Sequence, residues 1–229
     1  MEQEDKKALT GRRILDLADE KASFCSKLLA DMGAEVFKIE RPGGDASRTV
    51  GPFWENRPHP EKSLSFWYHN TGKQGITLDL DSEEGQQIFR RLAQNVDAVV
   101  ESFPPGYLDK LGVGYQALSE LNPGLIMASV TGFGQDGPYR EYRTCDIVAS
   151  AMGGQMSVCG TPDTPPIKPY GQQPYYLAAL FAATGILLAL RQRRQSGQGQ
   201  HIDISLQEAV AATLDHVMIR YFYDGIVSK

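Results

Sequence analysis

Apolar and polar positions along the chain alternate between two periods. Short apolar runs at Arg12–Ala18, Glu35–Glu40, Gly75–Leu80, Ala98–Val100, Leu125–Val130 and His201–Ser205 have the length and β-branched content of strands. Between them, apolar residues recur at helical spacing. Phe24, Leu28 and Met32, with Leu29 beside them, predict a helix over Lys21–Met32 that Gly33 ends. Ile88, Phe89 and Leu92 predict another, capped by Asp81 or Ser82, with Glu83 and Glu84 in its first turn and Arg90 and Arg91 towards its end. Shorter helices are predicted over Tyr107–Leu111, Tyr115–Leu121 and Thr144–Met152. An alanine-rich buried helix is predicted from Tyr175 to Leu190, and one unbroken helix from Leu206 to Tyr223. The alternation predicts an α/β fold: an open, mainly parallel, Rossmann-like sheet flanked by helices.

Residues 42–73 break the alternation. They hold the turn formers Gly43-Gly44, Gly51-Pro52 and Pro58-His59-Pro60, and read as one long irregular loop. Loops of that length usually bind a ligand or line an interface. Trp54, Phe66, Trp67 and Tyr68 give this one apolar surface, and Arg41, Arg48 and Lys73 give it positive charge. In parallel sheets ligands lie over the carboxyl ends of the strands. Three loops fall there: the one after Glu40, Glu101–Gly106 and Thr131–Pro138. With Arg41, Lys73 and Lys110 around them, they point to a phosphate-rich ligand. The first strand-to-helix turn, Ala18-Asp19-Glu20-Lys21, has no glycine and two acids. That excludes the usual Rossmann mode of holding a dinucleotide, which needs glycines where the pyrophosphate meets the backbone.

Size and charge narrow the picture. The 229 residues fit one large α/β domain over 1–200, with a final strand and helix over 201–229 continuing it. A net charge of −5 argues against nonspecific nucleic-acid binding. Cys25, Cys145 and Cys159 are odd in number and far apart, which suits reduced thiols in the cytoplasm rather than a disulfide framework. Met1–Lys7 is charged and has no signal-peptide apolar run, and the sixteen residues from Tyr175 to Leu190 fall short of a membrane span. The four histidines are dispersed, so no metal site is expected.

The segment from Leu29 to Asp45, LADMGAEVFKIERPGGD, resembles the opening of the family III CoA-transferases, the CaiB/BaiF-like relatives of formyl-CoA transferase and carnitine CoA-transferase. The likeness continues through Asn70-Thr71-Gly72-Lys73, Leu108–Gly112, Ser129–Pro138, Met152-Gly153-Gly154, Gly185–Leu190 and Ser196–Asp203. No single piece is specific, but the ordered ensemble is. The resemblance implies a CoA or acyl-CoA thioester and a small carboxylic acid as substrates, no metal, and the N-terminal portion of a longer module. Such modules commonly pair as interlocked homodimers or with a second module in tandem.

Carried over by position, Arg41 resembles the arginine near the adenosine diphosphate of CoA, and Lys73 a base near the same cofactor. Phe103 resembles an aromatic beside it, Ser102 replaces a frequent asparagine, and Lys110 and Arg143 resemble phosphate-contacting bases. Enzymes of this family transfer CoA through an aspartate about ten residues before the Gly-Ile-Leu-like run. Counting back ten from Gly185 reaches Tyr175, and no acid occurs from Thr164 through Thr184. Tyrosine, with a reference pKa near 10, is a poor substitute for a carboxylate. The sequence therefore reads as a module that shapes a CoA site without its own nucleophile. The alternatives are a non-catalytic structural or dimerisation domain, and an acyl-CoA lyase or racemase.

Overall fold

Six strands, all parallel, form one sheet in the order β3–β2–β1–β4–β5–β6. They are β1 Arg13–Asp16, β2 Glu35–Glu40, β3 Gln74–Thr77, β4 Ala98–Glu101, β5 Ile126–Thr131 and β6 His201–Ser205. The computed structural model describes residues 7–161 and 163–227. The chain first winds outward through β2 and β3, then returns to place β4 on the other side of β1. Adjacent strands therefore send their connections in opposite directions at β1 and β4, which opens a crevice at their carboxyl ends.

The pleat sorts the core into two layers. Ile14, Val100 and Ile126 face α1 (Ser23–Asp31) and α7 (Gln173–Ser196), joined by Ala149 of α6 (Asp146–Met152) and Leu206 of α8 (Leu206–Ala211). Leu15, Val99 and Met127 face the opposite way. There they meet Phe89 of α3 (Glu83–Ala93), Leu108 of α4 (Tyr107–Lys110) and Leu118 of α5 (Tyr115–Leu121). Burial on both faces is why these strands read as continuous apolar runs.

Helix α7 spans 24 residues, longer at both ends than the apolar stretch that announces it. By length and composition it could cross a membrane, but half of its apolar window is buried inside the fold. Its alanines Ala178, Ala179, Ala182 and Ala183 are buried against the core, and a Cβ at Gly185 would lie 3.1 Å from Ile202 Cγ2. The small residues let the helix sit close to the sheet. At its far end Arg193 donates to the Gly124 carbonyl at 2.8 Å and pairs with Asp97. Asp97 also accepts from Arg12 Nη1 and the Arg13 N–H, both at 2.9 Å.

Two expectations fail. Residues 42–73 are not irregular throughout: α2 (Leu64–Asn70) lies within them, capped by Ser63, whose Oγ accepts from the Phe66 N–H at 3.1 Å. Only Phe66 and His69 of α2 are buried, so the helix has no apolar stripe to read. The final segment is two helices rather than one. The chain turns at Ala212–Leu214, where Thr213 Oγ1 donates to the Val210 carbonyl at 2.7 Å, and α9 (Asp215–Asp224) then buries none of its residues.

Candidate functional site

The crevice between β1 and β4 is closed by a reciprocal contact. Ser102 Oγ accepts from the Asp19 N–H at 2.9 Å and donates to Asp19 Oδ1 at 2.8 Å. Phe103 follows, half-buried, and lines a cavity on either side of itself. The first, about 220 Å³, has Leu17, Ile39, Arg41 and Ala46 as further walls. The second, about 290 Å³, is bounded by Lys21, Thr131, Arg140 and Arg143. Arg41 follows β2 and is exposed, Arg143 is exposed on the loop after β5, and neither pairs with an acid among the described residues. Two uncommitted guanidinium groups thus flank one aromatic ring. Such groups make charge-assisted, bidentate bonds to phosphate.

A buried charge network fixes the floor of this crevice. Asp16 is fully buried and accepts from Lys73 Nζ at 2.8 Å, Ser26 Oγ at 2.6 Å and the Ala18 N–H at 2.9 Å. Burial alone would push the Asp16 carboxyl up, but the Lys73 and Lys38 ammonium groups outweigh it and hold it below its ordinary range. Lys38 donates to the Ala18 carbonyl and pairs with Asp45 at 3.1 Å. Burial works against its charge, yet Asp16 and Asp45 keep its pKa above the ordinary value. The backbone on both sides of the β1 turn is tied down by these contacts.

The predicted binding residues separate into two groups. Arg41, Ser102, Phe103 and Arg143 come together along the crevice. Lys73 does not reach it: its three protons go to Asp16, the Ser23 carbonyl at 2.8 Å and Asn70 Oδ1 at 3.0 Å, and its side chain is 1% exposed. Lys110 stands exposed on α4 and lines neither cavity. Arg48 is neutralised by Glu40 at 2.6 Å and Glu61 at 3.0 Å, and lies 3.9 Å over the Phe66 ring.

Tyr175 opens α7 and is 6% exposed. Burial, then the carboxylates of Glu20, Asp146 and Asp19, push its phenol well above the ordinary range. Glu20 is itself pushed up by burial and accepts from Gln172 Nε2 at 3.4 Å. Asp146 pairs with Lys168 at 2.6 Å. Next to Tyr175, the ring of Tyr176 meets Phe24 at 4.9 Å and His69 at 5.8 Å. Sequence reasoning missed this gathering of acids, since Glu20 and Tyr175 are far apart in the chain. The two acids in a glycine-free turn were its only local sign. Among the described residues no cluster of three or more His, Cys, Asp or Glu side chains could hold a metal ion, and all three cysteines are free thiols.

Comparison with known proteins gives this arrangement a context. Succinyl-CoA–D-citramalate CoA-transferase of Chloroflexus aurantiacus is 43% identical over 221 residues, covering 95% of this chain and 54% of that protein. Subunit BbsE of the succinyl-CoA:(R)-benzylsuccinate CoA-transferase of Thauera aromatica is 38% identical over 217 residues, covering 95% and 53%. The chain spans about half the length of these curated relatives. A crystal structure of a CaiB/BaiF family protein from Brucella suis superposes with a TM-score of 0.91 at 36% identity, over 98% of this chain and 60% of that one. The model of "CoA-transferase family III" matches residues 9–229. The match over nearly its whole length, with relatives of this identity, shows it: the chain belongs to CoA-transferase family III.

Proposed function

We propose that this chain forms the CoA-binding part of a transferase that moves CoA between a thioester and a small carboxylic acid. The observation that carries the reading is the crevice of Arg41, Ser102, Phe103 and Arg143, inside a fold matched by the family from residue 9 onward. Arg41 and Arg143 would neutralise phosphates, and Phe103 would offer its face to the adenine or the pantetheine arm. The two relatives named above take succinyl-CoA by name, which supports an acyl-CoA donor and an organic acid acceptor.

Transfer in this family runs through an aspartate that attacks the thioester carbonyl and expels CoA thiolate, leaving a mixed anhydride; the thiolate then attacks the aspartyl carbonyl, releasing the donor acid as its carboxylate and leaving an aspartyl-CoA thioester. Tyr175 occupies the position expected for that residue. Its phenol is buried among acids and stays protonated at neutral pH, so it supplies neither the charge nor the leaving-group chemistry of a carboxylate. The reading that follows is a module that binds CoA and leaves acyl transfer to a carboxylate of a second module or subunit. Calorimetric titration of the purified chain with CoA tests the first part. Saturable binding weakened about tenfold in Arg41→Ala is the expected result, the size of one lost charge-assisted hydrogen bond. Incubation with succinyl-CoA and an acceptor acid tests the second. CoA exchange by this chain alone, lost in Tyr175→Phe, would sink the non-catalytic assignment.

A second reading, an assembly role, rests on α9. Phe222 is 72% and Tyr223 86% exposed, and an apolar helix end of this kind is a surface for another polypeptide. Sedimentation of the chain with and without residues 212–229 would separate the two readings.

A further inference from the structure

Glu101 ends β4 immediately before Ser102 and Phe103, and it is 4% exposed. Its Oε2 accepts a 2.7 Å hydrogen bond from the Phe103 N–H, so the carboxyl folds back and closes the turn that carries both crevice residues. Across the sheet Glu101 is in register with Ser129 of β5, and Ser129 with Asp203 of β6. His201 lies two residues before Asp203, so all four side chains project from one face. Ser129, 2% exposed, places Oγ 2.8 Å from His201 Nε2, and the His201 ring stacks on Tyr115 at 5.1 Å. Glu101, Ser129, His201 and Tyr115 line a third cavity of about 230 Å³, separate from the two that flank Phe103.

We propose that Glu101 is a positioning residue: its carboxyl sets the Ser102–Phe103 turn through the Phe103 N–H, and lines the third cavity together with Ser129 and His201. Burial pushes the Glu101 carboxyl up to about 7, against the Ser129 hydroxyl, the Phe103 N–H and the Lys21 ammonium that favour its charge; Asp19 adds to the upward push. Burial pushes His201 below its ordinary range, although Asp203 and Asp109 oppose the shift. Near neutrality the imidazole is therefore neutral and able to accept, while Glu101 changes state. The carboxylate is the stronger acceptor, so deprotonation tightens the bond to Phe103 and fixes the turn. The identity of the ligand that senses this turn rests on the CoA reading above; the hold on the turn does not.

The test is nuclear magnetic resonance of the full 229-residue chain, following the Glu101 carboxyl carbon and the Phe103 amide from pH 5 to 9. The two signals are expected to move together with a midpoint near 7. In Glu101→Gln, which keeps an acceptor for Phe103 but cannot titrate, the Phe103 amide should stand still. In Ser129→Ala the midpoint should rise, because a donor to the charged form is lost. A Phe103 amide that ignores the Glu101 titration, or that moves unchanged in Glu101→Gln, overturns the proposal. Affinity for 3′-dephospho-CoA, which avoids the ligand's own phosphate titration at about 6, should rise severalfold from pH 6 to 8 and be flat in Glu101→Gln. A coupled amide with an unchanging affinity would support the hold on the turn and overturn the placement of CoA there.

Discussion

Lys73 Nζ lies 2.8 Å from Asp16 Oδ2, with the two side chains 1% and 0% exposed. They come from opposite ends of the β1–β3 segment and meet beneath the crevice. Removing one partner leaves a buried, unpaired charge, which costs about 3–5 kcal/mol, whereas replacing both with apolar residues is far less disruptive. Lys73→Met and Asp16→Leu are each expected to lower the chemical-denaturation midpoint sharply, and the double variant to recover much of the loss. A Lys73 variant that fails to bind CoA therefore reports on folding first.

Arg41 offers the contrasting case. It is exposed and unpaired among the described residues, so Arg41→Ala should leave the melting temperature within about a degree of the parent, as surface substitutions commonly do. Scanning calorimetry beside the CoA titration checks this. A large drop in Tm would show that the arginine is structural and that the binding result cannot be used.

Stability should fall from both sides of a mildly acidic optimum. Asp16, Asp45 and Asp97 are all held below the ordinary aspartate value of 3.8 by cationic partners and hydrogen bonds that outweigh burial. What they contribute is present above about pH 4 and is lost as pH falls through their depressed folded values. Glu101 acts in the opposite sense. Its folded pKa of about 7 against 4.5 means the folded state holds the proton longer, so stability declines as pH rises from 4.5 to about 7. The difference is worth about 3 kcal/mol. Urea denaturation of Glu101→Gln across this window should show that the alkaline decline has disappeared and that the variant is the more stable protein at pH 8.

Tyr175→Phe should be nearly silent in stability, within about 0.5 kcal/mol, because the ring supplies the packing and the phenol makes no hydrogen bond to a described residue. Tyr175→Asp should be costly, since it brings a fourth carboxyl beside Glu20, Asp146 and Asp19. Thermal melts of the pair at pH 7 decide between these expectations.

Much of this was legible along the chain, because it depends on neighbours in sequence. The bounds of β2 at Glu35–Glu40 and of α5 at Tyr115–Leu121 follow from local apolar spacing and flanking glycines, and the structure matches both residue for residue. The parallel sheet followed from the order of the elements. Helix α2 escaped because its exposed aromatics hide the period, and the break before α9 escaped because Ala212 and Leu214 are ordinary helix formers. The misplacement of Lys73 has a different origin. A lysine in the Asn70–Lys73 turn fits the family resemblance, and nothing local reveals that Asp16, 57 residues earlier, uses up its protons. Glu101, Ser129 and His201 escaped for the same reason: only strand register brings them together.

The placement of α7 does not depend on the Tyr175 hydroxyl at its start. The helix is located by alanines lying on the sheet and by the clasp of Arg193 on Gly124 and Asp97, some 18 residues and about 27 Å along its axis from Tyr175. The Tyr175 phenol oxygen at the tip contributes little to where the tip lies. Architecture and local chemistry are thus separable traits here: the hydroxyl at the end of this strut can be lost without rebuilding anything behind it.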